Sequence, residues 1–260
     1  EEVVIPEGVK AIGNYAFAGL TGLKKITLPS TIESIGLGAF YGCTALADIQ
    51  GAEYIKFISK DAFYGCNALK TVNFGRIIAI GDSAFEKTFT SDSLKNAPEI
   101  EITLPVSAQS IGKRAFAGNA NAVSLTIQAA QVKLGDEAFT GCVKLKTASV
   151  NAAVIPTGLF SGCSALENVT IGKSVAVIGE NAFGGTQVAK FTVTEGNGVY
   201  HAQENGAVLL NTDGTQLLAV APAARKVSVA EMPSLAGVTE IGAAAFSGNG
   251  NIVLVDLPSV

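Results

Sequence analysis

The sequence is poor in the residues that build most metal and acid–base sites. Its 260 residues include one histidine, four cysteines and no tryptophan, and only 15% of them are charged. The single histidine, His201, has no partner histidine, and four cysteines at equivalent places in a repeat cannot surround one zinc ion. The sequence therefore predicts no metal, no cofactor and no enzymatic activity.

Two further classes of protein are disfavoured by what is missing. The net charge is −4 at pH 7 and the pI is near 5.1, whereas a nucleic-acid-binding surface needs a basic patch. No apolar run approaches the roughly 18 to 20 residues of a membrane-spanning helix. An initiator methionine and a signal peptide are also absent, and the chain begins within a repeat at Val3-Val4-Ile5-Pro6. Both ends are therefore expected to be cut from a longer protein.

What the sequence does contain is a repeat anchored on phenylalanine. Most anchors follow one another after 21 to 23 residues, as from Phe139 to Phe160 and from Phe17 to Phe40. The anchors are Phe17, Phe40, Phe63, Phe85, Phe116, Phe139, Phe160, Phe183 and Phe246. A fixed period of this length is typical of a solenoid, in which each repeat stacks on the next because it cannot bury its apolar face alone.

One copy of the repeat, Leu23 to Leu46, shows what each position does. Its sequence is LKKITLPSTIESIGLGAFYGCTAL. The alternation of Ile26 and Leu28 with polar residues predicts a short strand with one face in the core. Gly36 allows a turn that a side chain would obstruct, and Phe40 provides a large buried ring. Stacked copies should therefore place the phenyl rings in a column along the core.

A second column lies three residues after each anchor. Compact residues that can bond to backbone at a turn occupy most of it. The column contains Leu20, Cys43, Cys66, Thr88, Asn119, Cys142, Cys163, Thr186 and Asn249. Leucine-rich repeats have Asn or Cys at such a position. The column therefore favours a leucine-rich repeat.

With these residues in place, the chain resembles the BspA-like leucine-rich repeat surface proteins of anaerobic bacteria and some parasitic protozoa. The matching segments are Leu23-x-x-Ile26-x-Leu28-Pro29, Ile35-Gly36-x-x-Ala39-Phe40 and Gly42-Cys43-x-x-Leu46. The resemblance implies a curved, right-handed solenoid with a parallel β-sheet on its concave side and short strands and turns on its convex side. It also implies adhesion to host proteins or to other microbes.

The repeat predicts one solenoid domain of about ten coils over residues 1–260, interrupted twice. The first interruption, Glu86 to Pro98, is rich in polar residues and is predicted to be a loop at one rim. The second is a β-meander insert over residues 195–225. Three strands are predicted there because Asn205-Gly206 and Asp213-Gly214 are strong hairpin signals between them. BspA-like proteins often carry a similar insert.

The cysteines form two pairs on neighbouring coils. Stacked coils are about 4.8 Å apart, and their side chains run parallel. Cβ atoms at that distance exceed the roughly 3.5–4.5 Å that a disulfide prefers. We therefore expect four buried free thiols, and cysteine usage does not indicate the compartment.

Outward strand positions form the one candidate binding surface, on the predicted concave face. Its residues fall in two columns, one position per coil. The predicted ligand-binding residues are Lys25, Thr27, Asp48, Asn73, Glu101, Thr103, Thr126, Thr147, Asn168, Thr170, Lys190 and Thr192. Two interpretations remain open, because threonine both favours a solvated strand face and can hydrogen-bond to an extended partner.

The function expected from these observations is a cell-surface or secreted interaction module. It would act outside the cell, as a monomer, and bind unidentified extracellular or host proteins. The alternative is a passive spacer that displays another domain. Saturable binding to matrix proteins or cells would distinguish the two.

Overall fold

The computed structural model describes residues 1–88 and 99–258, and they form a solenoid of stacked, mostly parallel β-strands. The strands that begin each coil pair side by side in a three-stranded and a five-stranded parallel sheet, which we call the front sheet. These strands are Glu2–Val4, Lys25–Thr27, Asp48–Gln50, Ile100–Leu104, Ala122–Ile127, Thr147–Val150, Asn168–Ile171 and Lys190–Val193. The solenoid predicted from the repeat is thereby confirmed.

A second ladder of two-residue strands follows the front sheet in each coil. It consists of a six-stranded and a two-stranded parallel sheet. Its strands are Ala11–Ile12, Ser34–Ile35, Phe57–Ile58, Ala79–Ile80, Ser110–Ile111, Lys133–Leu134, Val154–Ile155 and Val177–Ile178. In residues 1–88 and 99–258, helical structure is limited to three short 3-10 segments, Ala52–Tyr54, Glu204–Gly206 and Pro233–Gly237. No helix among the described residues has the length and apolarity needed to cross a membrane.

Each coil then closes through a turn that carries the phenylalanine. The rings from Phe17 to Phe183 form one stack, with centroid separations between 5.1 Å and 6.2 Å. The backbone of neighbouring turns is also paired, as when the Phe40 N–H donates to the Ala62 carbonyl at 2.8 Å. The predicted aromatic column is therefore present from Phe17 to Phe183.

The glycine after the second-ladder strand is required by close approach between coils. A Cβ on Gly36 would lie 2.8 Å from the Asn14 backbone nitrogen, and one on Gly179 would lie 2.7 Å from that of Thr157. Neither glycine has a positive φ. The obstruction predicted for a side chain here thus comes from the preceding coil rather than from an unusual backbone conformation.

The second column bonds to backbone as the sequence predicted. The Cys66 thiol donates to the Phe40 carbonyl at 3.1 Å, and the Thr88 hydroxyl donates to that of Phe63 at 2.8 Å. All four cysteines are free and buried. Burial raises the pKa of the Cys66 thiol, so the reactive thiolate is suppressed in the folded protein.

The fourth coil departs from the front sheet. Residues 71–74 form no strand, although the sequence predicted one there. Phe74 stands where most other coils have Leu, Ile or Val, and its ring meets those of Phe85 and Phe116 edge-on at 5.5 Å and 5.8 Å. In this coil the ring therefore packs against the phenyl column, while the backbone of residues 71–74 lies outside the ladder. Of the predicted loop Glu86 to Pro98, residues 89–98 lie outside the described residues.

The predicted meander has three antiparallel strands, His201–Gln203, Val208–Leu210 and Gln216–Val220. The third strand also pairs in parallel with Glu240–Ile241, the strand of a later coil. Within the turn before it, the Asn211 side chain accepts hydrogen bonds from the Thr215 and Gln216 N–H groups. The insert is therefore joined to the solenoid through a shared strand. A further parallel pair, Lys226–Ser228 with Leu254–Asp256, follows the meander.

The phenylalanine column ends at Phe183, and Phe246, the next anchor in the sequence, stands apart from it. The Phe183 ring is instead covered edge-on by Phe191, at 5.2 Å. Phe246 packs against a separate apolar cluster. The buried members of this second cluster are Val208, Leu210, Leu217, Val220, Val227, Leu235, Val238 and Ala245. The meander strands supply half of it, which explains why the insertion redirects the core.

Candidate functional site

The front sheet exposes one face to solvent because its strands alternate between core and surface over most of their length. In Lys25–Thr27 the Ile26 side chain is fully buried, while its two neighbours are partly exposed. In Ile100–Leu104 three aliphatic residues are buried and Glu101 and Thr103 are exposed. The outward side chains of each strand lie two residues apart, as the period of a β-strand requires.

Parallel pairing brings these outward residues into two continuous columns in each sheet. Thr126 is directly opposite Thr103 on one neighbouring strand and Ser149 on the other. The first column is Val4, Thr27 and Gln50 in the three-stranded sheet, and Thr103, Thr126, Ser149, Thr170 and Thr192 in the five-stranded sheet. The second column is Lys25 and Asp48, and then Glu101, Ser124, Thr147, Asn168 and Lys190.

Eleven of the twelve predicted binding residues therefore lie in these columns, and Asn73 does not. Asn73 belongs to the coil that leaves the ladder, so it has no register partner in either sheet. Because this coil contributes no front strand, the predicted surface is divided into a smaller part on three strands and a larger part on five. Sequence alone predicted one uninterrupted row, because the period continues through this coil.

The centre of the larger part is uncharged. We call this centre the hydroxyl patch, and it consists of Ser124, Thr126, Thr147, Ser149, Asn168 and Thr170. Charged residues stand at its ends, Glu101 on one outer strand and Lys190 on the other. Within the part of the chain that the structure describes, no patch side chain makes a hydrogen bond to another protein group. Each is therefore free to donate to or accept from a bound molecule.

The meander borders the patch beyond Lys190. The turn at Asn205-Gly206 packs against the backbone of Phe191, and a Cβ on Gly206 would lie 2.6 Å from the Lys190 Cγ. The outer edge of the last front strand is thus covered by the insert. This contact between two segments distant in sequence could not be read from the repeat.

Clusters of metal-binding side chains are absent from the described ranges. No group of three or more His, Cys, Asp or Glu residues there could hold a metal ion. His201 lies on an exposed position of the first meander strand. What the front sheet offers to a partner is its hydroxyl and amide groups and the charged side chains beside them.

The sequence analysis missed an ion-pair cluster on the turn face, which is the surface formed by the turns that carry the phenylalanine anchors. Arg114 donates to Glu86 through two nitrogens, at 2.9 Å and 3.2 Å, and to Glu137 at 3.0 Å. Burial alone would raise the pKa of Glu86, but hydrogen bonds from Arg114 and Ser83 outweigh burial and lower it. The available signal was position: Arg114 and Glu137 each precede an anchor by two residues, and Glu86 directly follows one. The cluster ties three successive turns together, which is a structural role.

A row of tyrosines on the same face was also missed. The rings of Tyr41 and Tyr64 are stacked at 5.0 Å, and the Lys87 ammonium lies 6.0 Å from the Tyr64 ring centroid. Both tyrosines directly follow an anchor, and that shared offset was the available signal. Together they give this part of the turn face an aromatic surface, unlike the front sheet.

Comparisons with known proteins agree with this geometry. The family model for the BspA type leucine-rich repeat region matches residues 1–101 and 87–201, with six copies. No curated protein matches the chain.

Solved structures of bacterial repeat proteins have a similar fold. A leucine-rich cell surface protein from Faecalibacterium prausnitzii is 24% identical over 98% of this chain and 78% of its own, with a TM-score of 0.53. A leucine-rich repeat protein from Bacteroides ovatus is 20% identical over 97% and 67%, with a TM-score of 0.50. The leucine-rich repeat protein of T. pallidum is 26% identical over 71% and 75%, with a TM-score of 0.47.

Proposed function

Because the chain belongs to the BspA-type leucine-rich repeat family, we propose that it is a non-enzymatic interaction module that binds host or microbial proteins through its front sheet. Solenoids of this kind present an extended surface on which contacts repeat from coil to coil. The proposed site comprises the two outward columns, with the hydroxyl patch at its centre.

The observation that carries the proposal is that the patch is in register, uncharged and free of internal hydrogen bonds. Its hydroxyl and amide groups can each donate and accept, so an extended backbone could bond to successive strands about 4.8 Å apart. Depletion of charge at the centre, with charged residues at the border, is also the arrangement found in protein interfaces. The patch contains no aromatic side chain, which favours a protein partner over a stacked sugar.

A location at the cell surface is part of the same proposal. The family resemblance supports it. The F. prausnitzii neighbour is described as a cell surface protein. At 24% sequence identity, its likeness to this chain concerns the fold alone. Surface location would place the front sheet where host or microbial proteins can reach it.

The test is titration of the chain against a panel of immobilised matrix glycoproteins. The altered-face variant combines Thr126→Arg and Thr170→Arg with Lys25→Glu and Lys190→Glu. These side chains are at least partly solvent-exposed, so thermal unfolding should change little. We expect wild type to bind saturably and the variant to lose most of that binding, since two bulky cations would occupy the uncharged centre.

A control places comparable changes on the second ladder: Val154→Arg and Val177→Arg, with one lysine reversal, Lys133→Glu, instead of two. Val154 and Val177 are about half exposed and point outward in register with each other. The control should bind as wild type does. Equal binding by the altered-face variant would assign the site elsewhere, and the absence of any binding across the panel would favour the spacer.

A further inference from the structure

Three Asn-Gly pairs lie outside the front sheet, and their environments differ sharply. They are Asn197-Gly198, Asn205-Gly206 and Asn249-Gly250. Asparagine before glycine is prone to lose its side-chain amide, because glycine has no Cβ to keep its backbone nitrogen from the asparagine side chain. Whether a pair reacts in a folded protein depends on whether that side chain can move to the glycine nitrogen.

The side chain of Asn197 is held by four hydrogen bonds. Its amide nitrogen donates to the carbonyls of Gly172 at 2.8 Å and Val175 at 3.0 Å. Its amide oxygen accepts from the N–H groups of Val199 at 2.9 Å and Tyr200 at 2.8 Å. All four bonds would have to break before the amide carbon could reach Gly198.

The side chain of Asn249 is held in a similar way. Its amide nitrogen donates to the carbonyls of Ala221 at 3.1 Å and Ala224 at 3.3 Å. Its amide oxygen accepts from the Asn251 N–H at 3.0 Å. Asn249 and Asn197 both anchor turns of the fold, so local opening is needed before either can react.

The side chain of Asn205 has no such restraint. Asn205 is exposed at the tip of the first meander hairpin, and its backbone is left-handed, with φ at 56°. Within residues 1–88 and 99–258, no hydrogen bond to the Asn205 amide is present. The Asn205 side chain can therefore turn toward the Gly206 nitrogen without first breaking a hydrogen bond, while Gly206 itself packs on the Phe191 backbone.

We propose that Asn205-Gly206 is a site of spontaneous deamidation, and that it reacts ahead of the other two pairs. The Gly206 backbone nitrogen attacks the Asn205 side-chain carbon, forming a C–N bond as the nitrogen loses its proton and ammonia departs. The product is a five-membered succinimide. Water then opens either carbonyl of this ring, leaving aspartate or isoaspartate at position 205, with no oxidant or cofactor required.

The modification acts at the border of the front sheet. The hairpin is closed by a hydrogen bond from the Ala207 N–H to the Glu204 carbonyl at 3.1 Å, and isoaspartate inserts one more carbon into that loop. Gly206 packs on the last front strand beside Lys190, so the new carboxylate also arrives next to a cation of that strand. Conversion to isoaspartate is therefore expected to loosen the pairing of His201–Gln203 with Val208–Leu210.

The experiment is incubation of the folded chain in mildly alkaline buffer, followed by peptide mapping with mass spectrometry and an isoaspartate assay. We expect the mass gain of amide loss to accumulate in the peptide containing Asn205, while the peptides containing Asn197 and Asn249 keep their amides. Isomerisation at Asp213-Gly214 uses the same ring without a mass change, so isoaspartate must be assigned peptide by peptide.

Two controls make the outcome decisive. The chain unfolded in denaturant should convert all three pairs at similar rates, since their protection is structural. An Asn205→Gln variant should remove the early signal, because its longer side chain does not form the five-membered ring. Conversion of Asn197 or Asn249 in the folded chain at the rate of Asn205 would overturn the proposal. So would an intact Asn205 over the period in which the unfolded chain reacts.

Discussion

At the scale of single residues, the turn that closes each coil depends on left-handed backbone at two fixed positions. One lies two residues before the anchor, where Tyr15, Arg114 and Asn181 all have positive φ. The other lies two residues after it and is glycine in every complete coil except one, where Lys87 adopts φ at 55°. The first position shows no glycine preference, so its conformation is imposed by the pairing of turns rather than by the residue itself.

The glycine that follows most second-ladder strands can be tested with a matched pair of substitutions, at Gly112 and Gly13. A Cβ on Gly112 would meet the backbone of Gly81 and Asp82, whereas one on Gly13 in the first coil would meet nothing within 4 Å. Gly112→Ala should therefore destabilise by about 1–3 kcal/mol, because the neighbouring coil must shift. Gly13→Ala should leave stability nearly unchanged in the same chemical denaturation series. Equal effects would mean that contact between coils is not what selects glycine.

The phenyl column makes a second prediction at this scale. The Phe139 ring is 1% exposed and stacks on Phe116 at 5.1 Å and on Phe160 at 6.2 Å. Phe139→Ala should cost about 3–5 kcal/mol, since two rings lose a partner and a cavity remains. A loss below about 1 kcal/mol on denaturation would contradict a continuously packed core at this coil.

At the scale of elements, neighbouring turns are joined by the Arg114 cluster. The folded-state pKa of Glu86 is lowered, so the cluster stabilises the fold above the unfolded pKa of about 4.3. That contribution is lost as the pH falls through the folded pKa. The turns on either side of residues 89–98 are thus joined by a contact that acid should release.

Replacing Glu86 tests this contact. Glu86→Gln should cost about 1–3 kcal/mol at neutral pH, because the charge-assisted bonds to Arg114 weaken. The difference from wild type should shrink as the pH falls below about 4, where the wild-type carboxyl also becomes protonated. Denaturation across pH measures both effects, and Glu180→Gln, at an exposed carboxyl, is the control. A difference that stayed constant into acid would show that charge is not involved.

Across the molecule as a whole, the described residues form two apolar clusters instead of one continuous core. The larger runs from Ile12 into the meander, and the smaller lies behind the meander around Leu235. Since a solenoid is stabilised by contacts between nearest neighbours, the two regions should unfold with different free energies. The smaller cluster is expected to open first.

A substitution in the smaller cluster checks this order. Leu235 is fully buried, and Leu235→Ala should cost about 2–5 kcal/mol within its own cluster. Hydrogen exchange with mass spectrometry should then show faster exchange across residues 208–257 and unchanged exchange across residues 1–170. Faster exchange along the whole chain would indicate one cooperative unit.

The sequence was sufficient to predict the period, the phenyl column as far as Phe183, the backbone-bonding column and the strand positions of eleven of the twelve proposed surface residues. These features are local, because each coil repeats the same side-chain alternation and the same turn. Only the folded chain shows that residues 71–74 leave the ladder and that Phe246 joins a second cluster. The pairing of the third meander strand with Glu240–Ile241, and the link from Glu86 through Arg114 to Glu137, are also visible only there. Those outcomes depend on how a large ring or an inserted hairpin packs against coils distant in sequence, and a period within the chain carries no information about such packing.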